Sequence, residues 1–232
     1  MIVRPGEDAV HLITQPDHAA LAREIMEHCD SLAERPRRQS ILHAIGEHDN
    51  GWREPDEAPA MDAATGAILD FVNASVDVRQ GVWPRGVARL GDDPWAAALV
   101  AEHAIIVYDR FRSDAAWTSF FAEMEATRDR WMGVSGLELG DLQADYRFVR
   151  LGDLVSLAFC TGWPEPQRCY EWSVQLHGSR VVVQPDPFGG LDLPFEVSAR
   201  ELATARFEFV EEFRVALRRA PVVTLRGVAA GD

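Results

Sequence analysis

The chain has 232 residues, 47 % hydrophobic and 26 % charged, which suits an ordinary globular protein with one good core. A formal net charge of −14 at pH 7 argues against a nucleic-acid backbone or an anionic membrane as main partner. It leaves room for a small phosphorylated substrate, because a bound metal reverses the field locally. Cys29, Cys160 and Cys169 form no Cys-x-x-Cys pair, MIVRPGEDAV carries no signal-peptide pattern, and no apolar run is long enough to span a bilayer. A reduced, cytoplasmic setting is expected, with Cys29 and Cys160 as small core residues.

Met1–Val3 and Val10–Ile13 are short apolar runs around Pro5-Gly6-Glu7-Asp8 and predict a β-hairpin. Thr14 reads as a helix N-cap, with Pro16 in the first turn and Asp17 at the capping-box position. The helix is expected to run to about Ala33, with His18, Leu21, Ile25 and Cys29 inward. After the break at Arg35-Pro36-Arg37-Arg38, the stretch from Ser40 has apolar residues at Ile41, Leu42 and Ile45, a helical spacing that carries His48 and Asp49 onto the inward edge before Asn50-Gly51 ends it. From Asn50 to about Val76 no period is sustained, and an irregular surface excursion is expected; loops of that length are often functional.

Val78–Leu90 is a further helical stretch, interrupted by Pro84 and Gly86. Pro94–Arg112 predicts a strong helix capped by Asp92 or Asp93, with Trp95, Leu99, His103 and Ile106 on one face. Asp114–Met132 and Asp141–Phe159 follow as helices, the second with Asp153 in the middle of its apolar stripe. Beyond Thr161, Trp172–Leu176 and Arg180–Gln184 alternate around Gly178-Ser179, a hairpin signature. Leu191–Val197 is expected to be extended. Ser198 and Glu201 have capping-box spacing for a helix to about Arg219, with Leu202, Phe209, Phe213 and Leu217 inward, and Pro221–Val228 closes as a strand. The expected fold is mainly α, a helical bundle with a small antiparallel sheet from the N- and C-terminal segments (α+β overall). It forms a single domain, 1–232, with a helical core over 14–160 and a β/helix extension over 161–232.

Four predicted helices thus each place a metal-competent side chain on an apolar face: His18, His48 with Asp49, His103, and Asp153. A buried carboxylate or imidazole is costly without a partner, and a divalent ion accepts both kinds of donor. Helix-borne donors meeting inside a bundle are an established way to build a metal site. Trp52 and Arg53 follow the doublet directly and are candidates for a pocket mouth and for binding a substrate phosphate or carboxylate. His11, His28, His43 and His177 fall off the inward stripes or beside a turn and read as surface or structural residues. There is no Gly-x-Ser-x-Gly elbow, P-loop, Gly-x-Gly-x-x-Gly or His-Glu-x-x-His.

The order His18, His48-Asp49, His103, Asp153 resembles the HD-domain superfamily of metal-dependent phosphohydrolases. That resemblance implies an all-helical, HD-like fold in which His18, His48, Asp49 and Asp153 hold one or two divalent ions, with His103 matching the additional His of two-metal members. MIVRP, ITQPDHAALA from Ile13, HDNGWRE from His48 and LGDLVSLAFC from Leu151 resemble a domain-of-unknown-function family, number 3891, over nearly the whole chain. The function expected is metal-dependent hydrolysis of a small phosphate ester or nucleotide, with Mn, Fe, Zn or Mg as the ion and Asp49 and His103 at the reacting centre. Glu47 or Glu102 is a candidate proton shuttle. A di-iron oxygenase on an HD-like scaffold and a non-enzymatic ligand-binding module are the alternatives.

Overall fold

A computed structural model covers residues 1–232. β1 (Ile2–Pro5) pairs antiparallel with β2 (Val10–Ile13), and Thr14 caps α1 (Gln15–Met26) by accepting the Asp17 N–H at 3.1 Å. The expected single helix to Ala33 is broken. The chain turns at Glu27–Cys29 and resumes as the one-turn α2 (Asp30–Ala33). Next come α3 (Arg38–Glu47), a 3-10 turn at Asn50–Trp52 and α4 (Arg53–Glu57). The rest of the expected excursion is pinned by bridges between Met61 and Ile68 and between Ala67 and Arg206. α5 (Val76–Ala88), which accommodates Pro84, is followed by α6 (Pro94–Tyr108), α7 (Thr118–Ser135) and α8 (Leu139–Thr161).

The remaining strands are β3 (Gln167–Cys169), β4 (Trp172–His177), β5 (Arg180–Gln184), β6 (Asp192–Leu202) and, after α9 (Val210–Arg219), β7 (Val222–Gly231). All join one seven-stranded sheet in the order β1-β2-β6-β7-β5-β4-β3, antiparallel except for the parallel β5–β7 pair. This overturns the expected fold class. The protein is 51 % helix and 20 % strand, and its mixed sheet curls into a half-barrel, so it is not a mainly helical, HD-like bundle with a small antiparallel sheet. The physical reason lies largely in β6. Leu193, Phe195, Val197 and Ala199 are buried and alternate with exposed Pro194, Glu196, Ser198 and Arg200. Four inward positions on one face outweigh the two-residue capping-box signal of Ser198 and Glu201, because a register fixed by a buried face leaves little choice. The helix begins only at Val210; Phe209 is exposed, and Phe213 is the one residue it buries.

α8 is the seam between the layers. One flank meets α1, α3 and α6, the other meets β1, β3, β4 and β5. Phe159 on α8 stands edge-on to Phe195 on β6, with ring centroids 4.8 Å apart. Gly227 on β7 makes room for both rings; a Cβ there would lie 2.6 Å from Phe195 and 2.7 Å from Phe159. α6 is buried on most sides and uses Ala96, Ala97, Ala98, Ala101 and Ala104 to let its neighbours approach. The connection between α2 and α3 is held by one fully buried carboxylate, Asp145 on α8. It accepts from Arg35 Nε at 3.0 Å, Arg37 Nε at 2.6 Å and Trp95 Nε1 at 3.0 Å. No helix is long and apolar enough to cross a membrane.

Candidate metal centre

The first turn of α1, fixed by the Thr14 cap, buries His18 completely. His48 ends α3 and Asp49 opens the 3-10 turn that follows. That turn lies against α5 so closely that a Cβ on Gly51 would sit 1.9 Å from the Val82 carbonyl oxygen, which restricts the position to glycine. Arg85 of α5 and Arg89, which caps its end, donate to the Gly51 and Asn50 carbonyls, satisfying backbone groups that the tight turn leaves unpaired. Asp153 comes from the middle of α8 and His103 from α6. His48, Asp49, His103 and Asp153 are all less than 9 % exposed.

The hydrogen-bond network assigns the tautomers. His48 Nδ1 donates to the Ile45 carbonyl at 2.6 Å. His18 Nδ1 donates to Ser156 Oγ at 2.7 Å, since that hydroxyl gives its own proton to the Gly152 or Asp153 carbonyl, each at 3.1 Å. When both imidazoles are neutral their Nε2 atoms present lone pairs, and these atoms face each other at 3.1 Å. Asp49 Oδ2 lies 3.1 Å from His18 Nε2 and 3.6 Å from His48 Nε2; Asp153 Oδ1 lies 3.8 Å and 3.6 Å from the same atoms. Acceptors crowded in this way repel one another unless a cation sits among them. With metal–ligand bonds of about 2.1 Å, neighbouring donors on an octahedron or tetrahedron are about 3.0–3.4 Å apart, close to the spacings seen. The two Nδ1 bonds are the outer contacts that orient ligating imidazoles. His18, His48 and Asp49 form one group that could hold an ion, and His48, His103 and Asp153 a second. His48 Nε2 has a single lone pair and serves only one of them at a time.

Electrostatics show the same need for positive charge. Burial works to lower the His48 pKa, but the Asp49 and Asp153 carboxylates overcome it and raise the value to about 9. Burial works to raise Asp49 and Asp153; His48 and His18 outweigh it for Asp49, and His48, Arg150 and His103 hold Asp153 far below the usual carboxylate range. Burial pushes His103 down to about 3 against the pull of Asp153, so this imidazole is neutral at physiological pH, a state that suits a ligand or a hydrogen-bond donor better than a base. In metal-free protein His48 stays protonated to about pH 9 when folded but only to about 6.5 when unfolded. Its stabilisation, on the order of 3 kcal/mol, is complete below pH 6.5 and is lost as pH rises through 9. Melting curves of metal-free protein are expected to fall between pH 6.5 and 9.5, while metal-loaded protein, with the ion in the proton's place, shows no such fall.

A cavity of about 400 Å³ opens onto this cluster. Asp49, His103 and Asp153 line it, together with Trp52 and Trp83 and three arginines, Arg79, Arg110 and Arg150. Arg150 also donates to Asp153 Oδ2. Tyr146 Oη, 3.0 Å from His103 Nδ1, fixes that ring from behind. Arg53 is elsewhere: it begins α4, points to solvent and pairs with Glu47 at 2.9 Å. Glu102 pairs with Arg128 at 3.0 Å, and neither Glu47 nor Glu102 lines the cavity. His11 pairs with Glu201, and His43 with Asp93. The three cavity arginines escaped sequence reasoning; the available signal was the i, i+3 spacing of Arg150 and Asp153 on a helix.

No curated protein and no solved structure matches the chain. One family model, described as "Protein of unknown function (DUF3891)", matches residues 1–205. The match takes in His18, the His48–Asp49 doublet, His103, Asp153 and all three cavity arginines, and the chain belongs to that family.

Proposed function

We propose that the protein is a metal-dependent hydrolase of a small phosphate ester or nucleotide. The observation that carries this reading is a set of four acceptor atoms, from His18, His48, Asp49 and Asp153, with their lone pairs converging beside a cavity whose walls bear Arg79, Arg110 and Arg150. The donor set fits a divalent ion such as Mn, Fe, Zn or Mg, which when bound polarises a phosphoryl oxygen and acidifies a water. Arg150 keeps Asp153 ionised and is placed to balance charge on a phosphate oxygen beside it. His103, neutral and oriented by Tyr146, offers a further donor to the same region. The order of these residues along the chain resembles that of HD-domain phosphohydrolases, on a different fold.

A di-iron oxygenase needs a second ion near Asp153 Oδ2 and His103 Nε2, which are 3.8 Å apart. Arg150 already neutralises that oxygen, which favours one ion and hydrolysis. The test is a panel of phosphate monoesters and nucleotides assayed with metal analysis of the same sample. Turnover is expected to vanish with a chelator and return with added divalent ion. Chelator-resistant turnover overturns the proposal, and so does a metal-loaded protein inert towards the whole panel. A two-iron content with an oxygen-dependent spectrum selects the oxygenase.

A further inference from the structure

Resting on that reading, we infer that the substrate carries two separated anionic groups. The reacting phosphate lies at the Asp153–Arg150 end, and a second phosphate or carboxylate is held by Arg79 and Arg110. All 23 basic side chains of the protein are arginine, and 37 carboxylates are present to pair with them. The arginines that follow Arg79 and Arg110 in the chain do pair: Arg85 and Arg89 with Glu54, Arg112 with Asp109 and Glu125. Asp109 is the direct neighbour of Arg110 in sequence, yet its carboxylate goes to Arg112.

Arg79 and Arg110 are held by aromatic rings instead. The Arg79 guanidinium carbon lies 5.3 Å from the Phe111 centroid and 5.4 Å from that of Trp117, and the Arg110 carbon lies 4.8 Å from Phe111. Stacking of this kind fixes a guanidinium without neutralising it and leaves its N–H edge free for a planar oxyanion. Arg79 Nε is buried with no hydrogen-bond partner. In the same cavity Gln15 Oε1 is also buried without one, an acceptor open to a hydroxyl of the same ligand. Both are polar atoms whose desolvation nothing in the protein offsets. The cavity also carries apolar lining, with Trp83, Phe71, Trp163 and Leu157. Once a divalent ion balances Asp49 and Asp153, the guanidiniums leave this hollow positive on a chain of net charge −14, and a concave site concentrates that field on an entering anion.

A purely structural role, packing α5 against the segment 109–117, is the competing explanation. Calorimetric binding to metal-loaded protein separates the two, with propyl phosphate compared with propane-, butane- and pentane-bisphosphates and with carboxyalkyl phosphates of matching length. At least one doubly anionic ligand is expected to bind about tenfold more tightly than propyl phosphate, an advantage that shrinks as salt is raised. Arg79→Gln is expected to abolish the advantage while leaving propyl phosphate binding within about twofold, and Arg79→Lys to restore only part of it. Equal affinity for both ligand classes alongside chelator-sensitive turnover overturns this inference and leaves the hydrolase reading standing. An Arg79→Gln effect of the same size on both classes also overturns it. Absence of binding and of turnover for every phosphate overturns both.

Discussion

Replacing Asp49 by alanine is expected to empty the metal site while leaving the helices in place. Asp49 Oδ2 is the carboxylate oxygen nearest His18 Nε2, at 3.1 Å, and it supplies one of the two carboxylate charges facing His18 and His48. Removing it leaves two neutral imidazoles and Asp153, whose second oxygen is occupied by Arg150. Changes to the outer contacts of a metal ligand alone cost about 10–100-fold in affinity, so loss of a ligand itself should cost about a thousandfold or more. Purified Asp49→Ala protein should contain almost no divalent ion by elemental analysis, with an unchanged far-ultraviolet circular dichroism spectrum. Asp49→Asn keeps the shape and loses the charge, and it should lie between the two. Equal metal content in wild type and the alanine variant would remove the site from consideration, whatever activity the protein has.

The second large effect is on stability and lies away from the candidate metal centre. Asp145→Ala takes the shared acceptor from Arg35, Arg37 and the Trp95 indole, which leaves guanidinium groups stranded beside a packed core. Breaking a buried charge pair from one side costs about 3–5 kcal/mol. Arg35 and Arg37 are 29 % and 22 % exposed and stay partly hydrated, so the loss should be near the lower end, about 3 kcal/mol. For a chain of this size that lowers the melting temperature by about 6–12 °C. Urea unfolding checks the value, and a change below about 1 kcal/mol would mean that the α2–α3 connection is held by something else.

The donor residues could be found in the sequence because each sits on an otherwise apolar helical stripe, where a histidine or aspartate is conspicuous. The structure brings His18, His48, Asp49, His103 and Asp153 together and puts Trp52 on the cavity wall. Arg53, also a candidate from the sequence, does not line the cavity: the chain enters α4 there, and the Glu47 carboxylate takes its charge. Arg79 and Arg110 could not be singled out in a chain with so many arginines, since what distinguishes them is the rings beneath them and the carboxylates they lack. The long helices α6 and α8 were legible from their period and caps, whereas the helix expected from Ser198 is strand as far as Leu202. The sheet was less so, because its membership depends on partners far apart in the chain. β2 pairs with β6, with Val10 opposite Leu202, and β5 with β7, with Arg180 opposite Val228; no local pattern specifies either.

The position of β7 also bears on how the protein is made. It is the last strand in the chain, yet it lies inside the sheet between β6 and β5, and the stretch shared with the family ends before it, at residue 205. A nascent chain released from the ribosome only that far has its helical layer and six strands but two bare strand borders facing each other across a gap. Borders of that kind recruit strands from other molecules. Until the ten residues of β7 arrive, those two borders stay unpaired, and a fragment cut at the family boundary would keep them so.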